Sequence, residues 1–459
     1  MYVLKLENIN THMNQYEELV KLFLNPADFK VITDEDDDQT YENVRTFKFD
    51  GDKNRIKREI YQYLSEVTGE KPKWGILTGI RPVKLAGEMY DAMGDRTSVK
   101  QHLAEEYLIS DEKAELILDM YEYQQKHLGK PPAGSAGIYI GIPFCPTRCL
   151  YCSFTSNQVK PEKYEGYLEA LFREITFVGE GMKRDGITVE SVYIGGGTPT
   201  SLNADQLDRL LTHVRNSFDL SASREFTVEA GRPDTFTYEK LEVLKKHGVE
   251  RISINPQTMH DRTLVTIGRD HTVQQTREAF EMASKCGIPV VNADLIAGLP
   301  DESADDFIES LNEVLKHGPE NITLHTLAVK RSSRLKELDE NFHYKQPRLT
   351  EEMLTRAKEI LTAEGYRPYY LYRQKHTAGS TENIGYCKND TLSLYNVRIM
   401  EEAQSIIALG AGGITKVYYP DENRLERVPN VSNYEIYIER IEEMLERKSK
   451  DLFQEVTLC

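Results

Sequence analysis

From residue 137 to residue 329 the chain alternates strand-like and helix-like segments, and this alternation restricts the folds that it can form. Apolar strand-like runs occur at 137–144, 191–195, 224–230, 251–257, 289–297 and 321–329. Segments with helical patterning lie between them, near 161–178, 203–218, 237–247, 272–286 and 303–317. Strands that alternate with helices pair in parallel, with the helices packed on the sheet. The sequence therefore predicts an α/β fold whose parallel sheet closes or half-closes into a barrel.

The segments on either side of this core do not follow the alternation. Residues 1–130 are predicted to form an N-terminal accessory α+β domain, and residues 131–137, rich in Pro, Gly and Ala, a linker. The core would then span 138–330, and 331–459 would form a C-terminal α+β extension that covers the substrate. A turn at 74–84 contains the single tryptophan, and it either receives an anion or packs between two helices.

Three cysteines stand in one short loop directly after the first core strand: Cys145, Cys149 and Cys152. Thiolates at C-x3-C-x2-C spacing can hold three irons of a [4Fe–4S] cube and leave the fourth iron without a protein ligand. An open iron is a place for chemistry, because a small molecule can chelate there while an electron arrives through the cluster. The alternative is zinc, which normally takes four ligands with paired C-x2-C spacing. No second pair occurs in the sequence, so the spacing favours the cluster.

Further polar and glycine residues follow the strands of the predicted barrel. Gly195-Gly-Gly-Thr-Pro199 comes after the second strand, and its glycines permit a sharp turn close to a ligand. Three later strands carry polar residues at alternate positions: Glu225, Thr227 and Glu229, then Arg251, Ser253, Asn255 and Gln257, then Asn292 and Asp294. Polar residues on one face of such strands would line the barrel lumen and indicate a polar ligand. The alternative is an internal network in which these groups satisfy one another.

Composition excludes several classes of partner and sets the expected compartment. The net charge of −17 argues against nucleic acid and against anionic membrane surfaces, both of which attract an excess of Lys and Arg. Six cysteines in 459 residues, three of them clustered, are not a disulfide framework. No 18-residue apolar run and no secretory signal pattern occurs. We expect a reducing, low-oxygen cytoplasm, because an open-iron cluster is readily destroyed by oxygen.

The motifs, taken together, resemble a known family. The cysteine loop, with Tyr151 just before its last cysteine, is similar to that of radical S-adenosylmethionine (SAM) enzymes. Its neighbours look like the oxygen-independent coproporphyrinogen III dehydrogenase family: 139–145, 193–199, 251–257, 267–272 and 292–300. Segments 77–82, 229–233 and 325–330 are shared with the HemZ-type branch of that family. The resemblance implies a partial (βα)6 barrel with a [4Fe–4S] cluster and SAM as cofactors.

The resemblance also implies roles for residues of this chain. Cys145, Cys149 and Cys152 would ligate the cluster. The SAM amino group would meet Gly196 and Gly197, its ribose Glu229 and Asp294, and its carboxylate region Gln257 and Arg269. Tyr139 would lie beside cluster and SAM, and Tyr151, Phe154 and Thr198 complete the expected cofactor contacts. His325 either hydrogen-bonds the substrate or is a buried structural histidine.

The reaction implied is oxidative decarboxylation of two propionates of coproporphyrinogen III to vinyl groups, giving protoporphyrinogen IX. A reduced electron donor protein such as flavodoxin or ferredoxin would supply the electron. A substrate with four carboxylates requires local cations, for which Arg232, Lys330, Arg331 and Arg334 are candidates beyond the strand ends.

The chain departs from the family pattern at three places, so other functions stay open. Phe154 stands where some dehydrogenases have a further cysteine, and Asn255-Pro256 where Gly-Val is common. A related branch of heme chaperones has His-Asn-x-x-Tyr-Trp, whereas this chain has 382–387 as Glu-Asn-Ile-Gly-Tyr-Cys. Cys387 is either a heme ligand through its thiolate or an inert thiol. Heme delivery without catalysis, and anaerobic heme breakdown by a radical methyltransferase, are therefore the alternatives to the dehydrogenase.

Overall fold

A computed structural model describes residues 1–9, 13–34, 41, 44–153, 156–329, 333–335, 347–374, 377 and 381–453. Its fourteen described strands are β1 (Tyr2–Glu7), β2 (Phe29–Thr33), β3 (Val44–Lys48), β4 (Ser135–Ile142), β5 (Thr188–Gly196), β6 (Glu225–Gly231), β7 (Arg251–Gln257), β8 (Val290–Ala297), β9 (Asn321–Thr326), β10 (Arg367–Arg373), β11 (Glu382–Cys387), β12 (Ser405–Leu409), β13 (Ile414–Tyr419) and β14 (Arg424–Pro429). They form two sheets, one of three strands and one of eleven.

The six predicted core strands are confirmed as β4 to β9. They lie side by side in chain order and pair in parallel throughout. Ile138, Ile140 and Ile142 of β4 are fully buried, as expected for a parallel sheet that helices cover. Because every strand of this set points the same way, the loops that follow them meet at one edge of the sheet.

The five predicted core helices are also present, at Tyr164–Arg184, Ala204–Ser217, Tyr238–Lys246, Val273–Cys286 and Ala304–Leu315. Three of them begin at a capping box, in which the N-cap side chain and the side chain three residues later satisfy each other's backbone N–H. The N-cap residues are Asn203, Thr272 and Ser303. These local signals explain why the boundaries were predictable to within a few residues for the helices that carry them.

The N-terminal segment forms a small parallel sheet in the order β2-β1-β3, with helices Asn14–Val20 and Lys53–Thr68 against it. It has its own hydrophobic cluster, which includes Leu4, Leu19 and Ile60. The next helices, Pro82–Met93, Arg96–Tyr107 and Asp111–His127, contribute instead to the large cluster of the core. The predicted helix over 99–125 is two helices, because Leu108 adopts a left-handed conformation with φ 54°.

The C-terminal segment extends the large sheet at both ends. β11 pairs antiparallel with β9, and β10 with β11, while β12 pairs in parallel with β4 and leads to β13 and β14. Its helices are Pro347–Ala363, Leu394–Glu401, Tyr434–Glu439 and Ile441–Leu452. The predicted helix over 434–450 is thus two helices, separated at Arg440. The division of the chain into three domains stays a prediction.

The turn at 74–84 is packed between elements of the fold. The Trp74 indole N–H donates to Glu382 Oε2 at 3.0 Å, and Arg81 forms an ion pair with Glu402 at 2.9 Å. A Cβ on Gly75 would lie 2.0 Å from the carbonyl oxygen of Tyr107, so a side chain has no space there. These contacts favour the packed turn over an anion site. In the part of the chain that the structure describes, every helix is too short or too polar to cross a membrane.

Candidate active site

The predicted site residues converge on one cavity of about 580 Å³ at the carboxyl ends of the core strands. Its wall includes every predicted site residue that the structure describes: Tyr139, Cys145, Cys149, Tyr151, Cys152, Gly196, Gly197, Thr198, Glu229, Gln257, Arg269 and Asp294. Phe154 lies outside the described residues, as do Lys330 and Arg331. The alternation of strands and helices brings these distant positions together, because each of them lies on a parallel strand or in the segment that follows one.

The cysteine loop is held by backbone hydrogen bonds to neighbouring loops. The Cys145 N–H donates to the Asn157 carbonyl at 3.1 Å, and the Leu150 N–H donates to the Ile267 carbonyl at 2.9 Å. A turn within the loop brings the Cys152 N–H to 3.2 Å from the Cys149 carbonyl oxygen. In the described part of the chain none of the three cysteines forms a disulfide, and all three line the same cavity, as ligands of one cluster must.

The glycine turn after β5 packs directly against the cysteine loop. The N–H groups of Gly197 and Thr198 donate to the carbonyls of Ile142 and Phe144, at 2.8 and 2.7 Å. A Cβ on Gly197 would lie 2.6 Å from the Phe144 carbonyl oxygen and 3.0 Å from Cys145 Sγ. Glycine is therefore required here for the close approach of the two loops.

Glu229, at the end of β6, accepts hydrogen bonds on both carboxylate oxygens. The Tyr193 hydroxyl donates to one oxygen, and the Gly196 N–H donates to the other at 3.2 Å. Burial raises the pKa of Glu229 to about 7, and the nearby Asp294 carboxylate adds to this, while the Tyr193 hydrogen bond opposes it. The carboxyl group therefore titrates close to neutral pH, which is unusual for an acidic side chain and typical of a functional site.

Asp294, on β8, lies in a chain of polar contacts across the cavity wall. The Asn292 amide donates to Asp294 Oδ1 at 2.7 Å, and His325 Nε2 lies 3.6 Å from Asp294 Oδ2. Burial opposes ionisation of Asp294, but His325 and the hydrogen-bond donors together keep its pKa below the usual range. His325 also contacts the Tyr372 hydroxyl through Nδ1 at 3.0 Å. Asp294 is thus an ionised acceptor, and His325 lines the cavity with partners on both ring nitrogens.

The end of β7 presents polar atoms that have no partner among the described residues. Ser253 Oγ, Asn255 Oδ1 and Arg269 Nε are buried, line the cavity and make no hydrogen bond within the described part of the chain. Gln257 has a left-handed backbone with φ 69°, next to a register shift in the pairing of β7 with β8. Buried polar groups are normally paired, and strained backbone concentrates at ligand sites. This donor and acceptor set fits a polar ligand such as SAM.

Three tyrosines form the aromatic part of the wall. Tyr193 stacks on Tyr395 with ring centroids 4.2 Å apart, and Tyr139 lies 6.2 Å from each of them with nearly parallel rings. Burial, followed by the nearby Glu229, raises the pKa of Tyr139, so its phenol stays protonated. A packed aromatic group beside a reaction centre excludes water, which protects reactive species from side reactions.

The deeper polar residues of the lumen satisfy one another instead. Glu225 accepts from the backbone N–H groups of Leu394 and Tyr395, at 2.7 and 3.2 Å, and lies 3.4 Å from Arg251. Arg251 donates further to the carbonyls of Thr391 and Leu392, at 3.0 Å each. Both interpretations of the polar residues therefore hold, each in its own part of the lumen. Glu225 and Arg251 belong to an internal hydrogen-bond network, whereas the residues from Glu229 outward line the cavity.

Arg232, a candidate for contact with substrate carboxylates, belongs to the cavity wall, but its guanidinium already has partners. Its guanidinium is buried and already bonded, to Asp234 at 2.9 and 3.0 Å and to the Thr147 hydroxyl at 2.7 Å. Arg334 is exposed. The partners of Arg232 could not be predicted from the sequence, because no motif links Arg232 to Asp234 or to the distant Thr147.

The C-terminal segment was expected to cover the substrate, but sequence reasoning named none of the residues by which it lines the cavity. Tyr370 and Tyr372 of β10, together with Tyr395, Asn396 and Met400 of the helix Leu394–Glu401, line the cavity. A period of two in the aromatic run at 366–372 was the available signal for the first pair, since Tyr370 and Tyr372 share a strand face. The start of the helix has a local signal in its N-cap residue Ser393, but its place against the cavity depends on Glu225, which accepts from the N–H groups of its first turn.

Comparisons with known proteins identify the class to which the chain belongs. A model of the radical SAM superfamily matches residues 139–314. The HemZ protein of Bacillus subtilis (strain 168), an oxygen-independent coproporphyrinogen-III oxidase-like protein, is 40% identical over 410 residues, which cover 88% of this chain and 81% of the relative. The heme chaperone HemW of Escherichia coli (strain K12) is 28% identical over 62% of this chain and 71% of its own length. The HemW of Bacillus subtilis is 36% identical over 42% and 50%.

The fold has a counterpart among solved structures. Coproporphyrinogen III oxidase (HemN) from Escherichia coli superimposes with a TM-score of 0.55 at 20% identity, over 71% of this chain and 73% of that chain. Strand order, cysteine loop and superfamily match together define a radical SAM protein, and its cofactors are accordingly a [4Fe–4S] cluster and SAM. Within that class, the chain belongs to the oxygen-independent coproporphyrinogen III dehydrogenase family, in the HemZ-type branch.

Proposed function

We propose that this protein catalyses the oxidative decarboxylation of two propionate side chains of coproporphyrinogen III to vinyl groups, giving protoporphyrinogen IX. The observation that carries the proposal is the single cavity on which the cysteine loop, the unpartnered polar atoms of β7 and the tyrosine wall all converge. The identity to a coproporphyrinogen-III oxidase-like relative over most of both chains supports the same reaction.

The cofactors determine the kind of chemistry. When bound and supplied with one electron, cluster and SAM provide a 5′-deoxyadenosyl radical, which can remove a hydrogen atom from an unactivated carbon. Loss of a hydrogen atom from a propionate β-carbon would be followed by release of carbon dioxide and by transfer of one electron to a one-electron acceptor, leaving the vinyl group. The protein's task is to bind, orient and keep the site dry.

Residues of this chain are arranged for those tasks. Cys145, Cys149 and Cys152 would hold the cluster, and Gly197 lets the glycine turn approach it closely. Glu229 and Asp294 carry acceptor oxygens for ribose hydroxyls. Arg269 lines the cavity, its Nε has no hydrogen-bond partner among the described residues, and it would donate to the methionine carboxylate. These assignments agree with the donor and acceptor character that each atom has in the structure.

The partners follow from the reaction. A tetrapyrrole would be the substrate, and a reduced flavodoxin or ferredoxin would deliver the electron to the cluster. The expected location is a reducing, low-oxygen cytoplasm, because an open-iron cluster is readily destroyed by oxygen.

Heme delivery is the second candidate, since several relatives are named heme chaperones. The structure disfavours the ligand that sequence suggested for it. Cys387 is 1% exposed and lies 3.6 Å from the Tyr123 hydroxyl, and burial raises the pKa of its thiol to about 11. Asn383, which this chain shares with the chaperone motif, accepts a hydrogen bond from the Thr326 N–H at 2.8 Å and is fully buried.

An anaerobic assay of the cluster-reconstituted protein tests the proposal. Coproporphyrinogen III or heme is added with SAM and a strong reductant, and tetrapyrroles and 5′-deoxyadenosine are followed by mass spectrometry. We expect stepwise loss of two carboxyl groups from coproporphyrinogen III. The loss should disappear in Cys149→Ala and persist in Cys286→Ala, a buried thiol on the outer helix Val273–Cys286. Unchanged porphyrinogen would contradict the proposal; consumption of heme would then indicate breakdown, and tight heme binding without turnover would indicate delivery.

A further inference from the structure

Arg232 connects the end of β6 to the middle of the cysteine loop. Its Nε and Nη2 donate to the two carboxylate oxygens of Asp234, at 3.0 and 2.9 Å, and this pairing fixes the plane of the guanidinium. Its remaining Nη1 donates to the Thr147 hydroxyl at 2.7 Å and to the Thr147 carbonyl at 3.3 Å. Only 3% of Arg232 is exposed, and its contacts with the half-buried Asp234 and Thr147 are partly shielded from water.

Thr147 also contacts a second loop, the one that carries Gly268 and Arg269. Its hydroxyl donates to the Gly268 carbonyl at 3.2 Å, one residue before Arg269. One hydroxyl group thus accepts from Arg232 and donates to the loop that carries Arg269. Thr147 lies between Cys145 and Cys149, so the position of both thiols depends on where Thr147 is held.

The cysteine loop has a physical need for such a restraint. Three thiolates on one short loop repel one another, and a loop fixed in advance loses less entropy when its ligand binds. The loop has no regular secondary structure of its own between β4 and Asn157 in the described residues. A buried guanidinium that Asp234 holds in place and that is bonded to the centre of the loop orders this segment in advance.

We infer that Arg232, held by Asp234, is a positioning residue for the cluster: through Thr147 it keeps Cys145 and Cys149 in ligand geometry. The inference goes beyond the proposed reaction, because it concerns how the cluster is held in any radical SAM function of this chain. It rests on the proposed assignment of the three cysteines as the cluster ligands.

Four variants test the inference in the reconstituted protein. Arg232→Gln removes the positive charge and the bidentate pairing with Asp234, whereas Arg232→Lys keeps the charge and loses the bidentate pairing. Thr147→Val removes the hydroxyl and preserves the shape of the side chain, whereas Thr147→Ser keeps the hydroxyl. Arg277→Gln, which disrupts an ion pair with Glu313 on the outer helices, is the matched control. The readouts are the rate of iron loss to a chelator, the electron paramagnetic resonance spectrum of the reduced cluster with and without SAM, and the melting temperature.

We expect Arg232→Gln and Thr147→Val to lose iron about tenfold faster and to show an altered spectrum, since removing a group that orients metal ligands typically costs 10- to 100-fold in metal affinity. Thr147→Ser and Arg277→Gln should match the unchanged protein, and Arg232→Lys should lie between. Unchanged iron loss and spectra in both Arg232→Gln and Thr147→Val would overturn the inference, as would an effect in Arg232→Gln alone. If Arg232→Gln does not fold, Thr147→Val decides the matter. Retention of a full cluster by Cys149→Ala would instead refute the ligand assignment.

Discussion

Replacing Gly197 by alanine tests the close approach of the glycine turn to the cysteine loop. No positive φ is involved at this position, so the substitution acts through space alone. The added Cβ would lie 2.6 Å from the Phe144 carbonyl oxygen and 3.0 Å from Cys145 Sγ, whereas ordinary contact begins at 3.4 Å. The turn or the loop must therefore move by about 0.8 Å, because the nearest atom is backbone and has no rotamer to change.

The size of the effect follows from this displacement. Overpacking of this kind typically costs about 1–3 kcal/mol, and misplacement by about 1 Å at a reaction centre can reduce the rate by about 100-fold. We therefore expect weaker SAM binding by at least about tenfold, which corresponds to about 1.4 kcal/mol. Most of the chain should be unaffected, because the strain is confined to two loops.

Isothermal titration with SAM, together with the reduced-cluster spectrum, measures the effect. Gly166→Ala is the matched control, since its Cβ would meet no atom closer than 4.0 Å and alanine favours the helix Tyr164–Arg184. The control should bind SAM normally and melt at an equal or higher temperature. Normal SAM affinity and an unchanged spectrum in Gly197→Ala would refute the reasoning that the two loops are packed at their limit.

Further perturbations have defined outcomes. The SAM affinity of the cluster-loaded protein should rise as the pH increases through about 7, because the ionised Glu229 carboxylate is a stronger hydrogen-bond acceptor than the protonated group. In titrations between about pH 5.5 and 8.5, Glu229→Gln should remove this dependence of affinity on pH. Lys448→Met should lower the free energy of unfolding by about 3–5 kcal/mol, and with it the melting temperature, because the fully buried Glu174 carboxylate loses its cation at 3.0 Å. Adding Glu174→Gln should recover part of this stability, and the absence of any recovery would contradict the account. Cys387→Ala should leave heme affinity unchanged in absorbance titrations, because the thiol is buried; a tenfold loss would show that it reaches the iron.

The sequence determined the core because its signals are local there. β7 has the predicted limits 251–257, and the capping boxes at Asn203 and Thr272 mark where helices begin. The location of the site could be predicted once the strands were known, because parallel strands bring their carboxyl ends together whatever their separation in the chain. Motif resemblance then supplied roles that spacing alone left open.

What the sequence left out depends on long-range contacts. β11 reads as loop in isolation and becomes a strand because β9 offers it an edge. Tyr395 reaches the tyrosine stack because Glu225, 170 residues earlier, accepts from its backbone N–H. Arg232 was assigned to the substrate because an arginine beyond a strand end suggests an exposed cation, and only the fold reveals that Asp234 and Thr147 occupy it.

The most direct test of the central claim is transfer of a label from substrate to cofactor. Coproporphyrinogen III deuterated at the propionate β-carbons is incubated anaerobically with the reconstituted protein, SAM and reductant, and the mass of 5′-deoxyadenosine is measured. The account predicts one deuterium in each 5′-deoxyadenosine formed, together with loss of carbon dioxide from the labelled propionates and no product from Cys149→Ala. Unlabelled 5′-deoxyadenosine at the rate seen without substrate would contradict it.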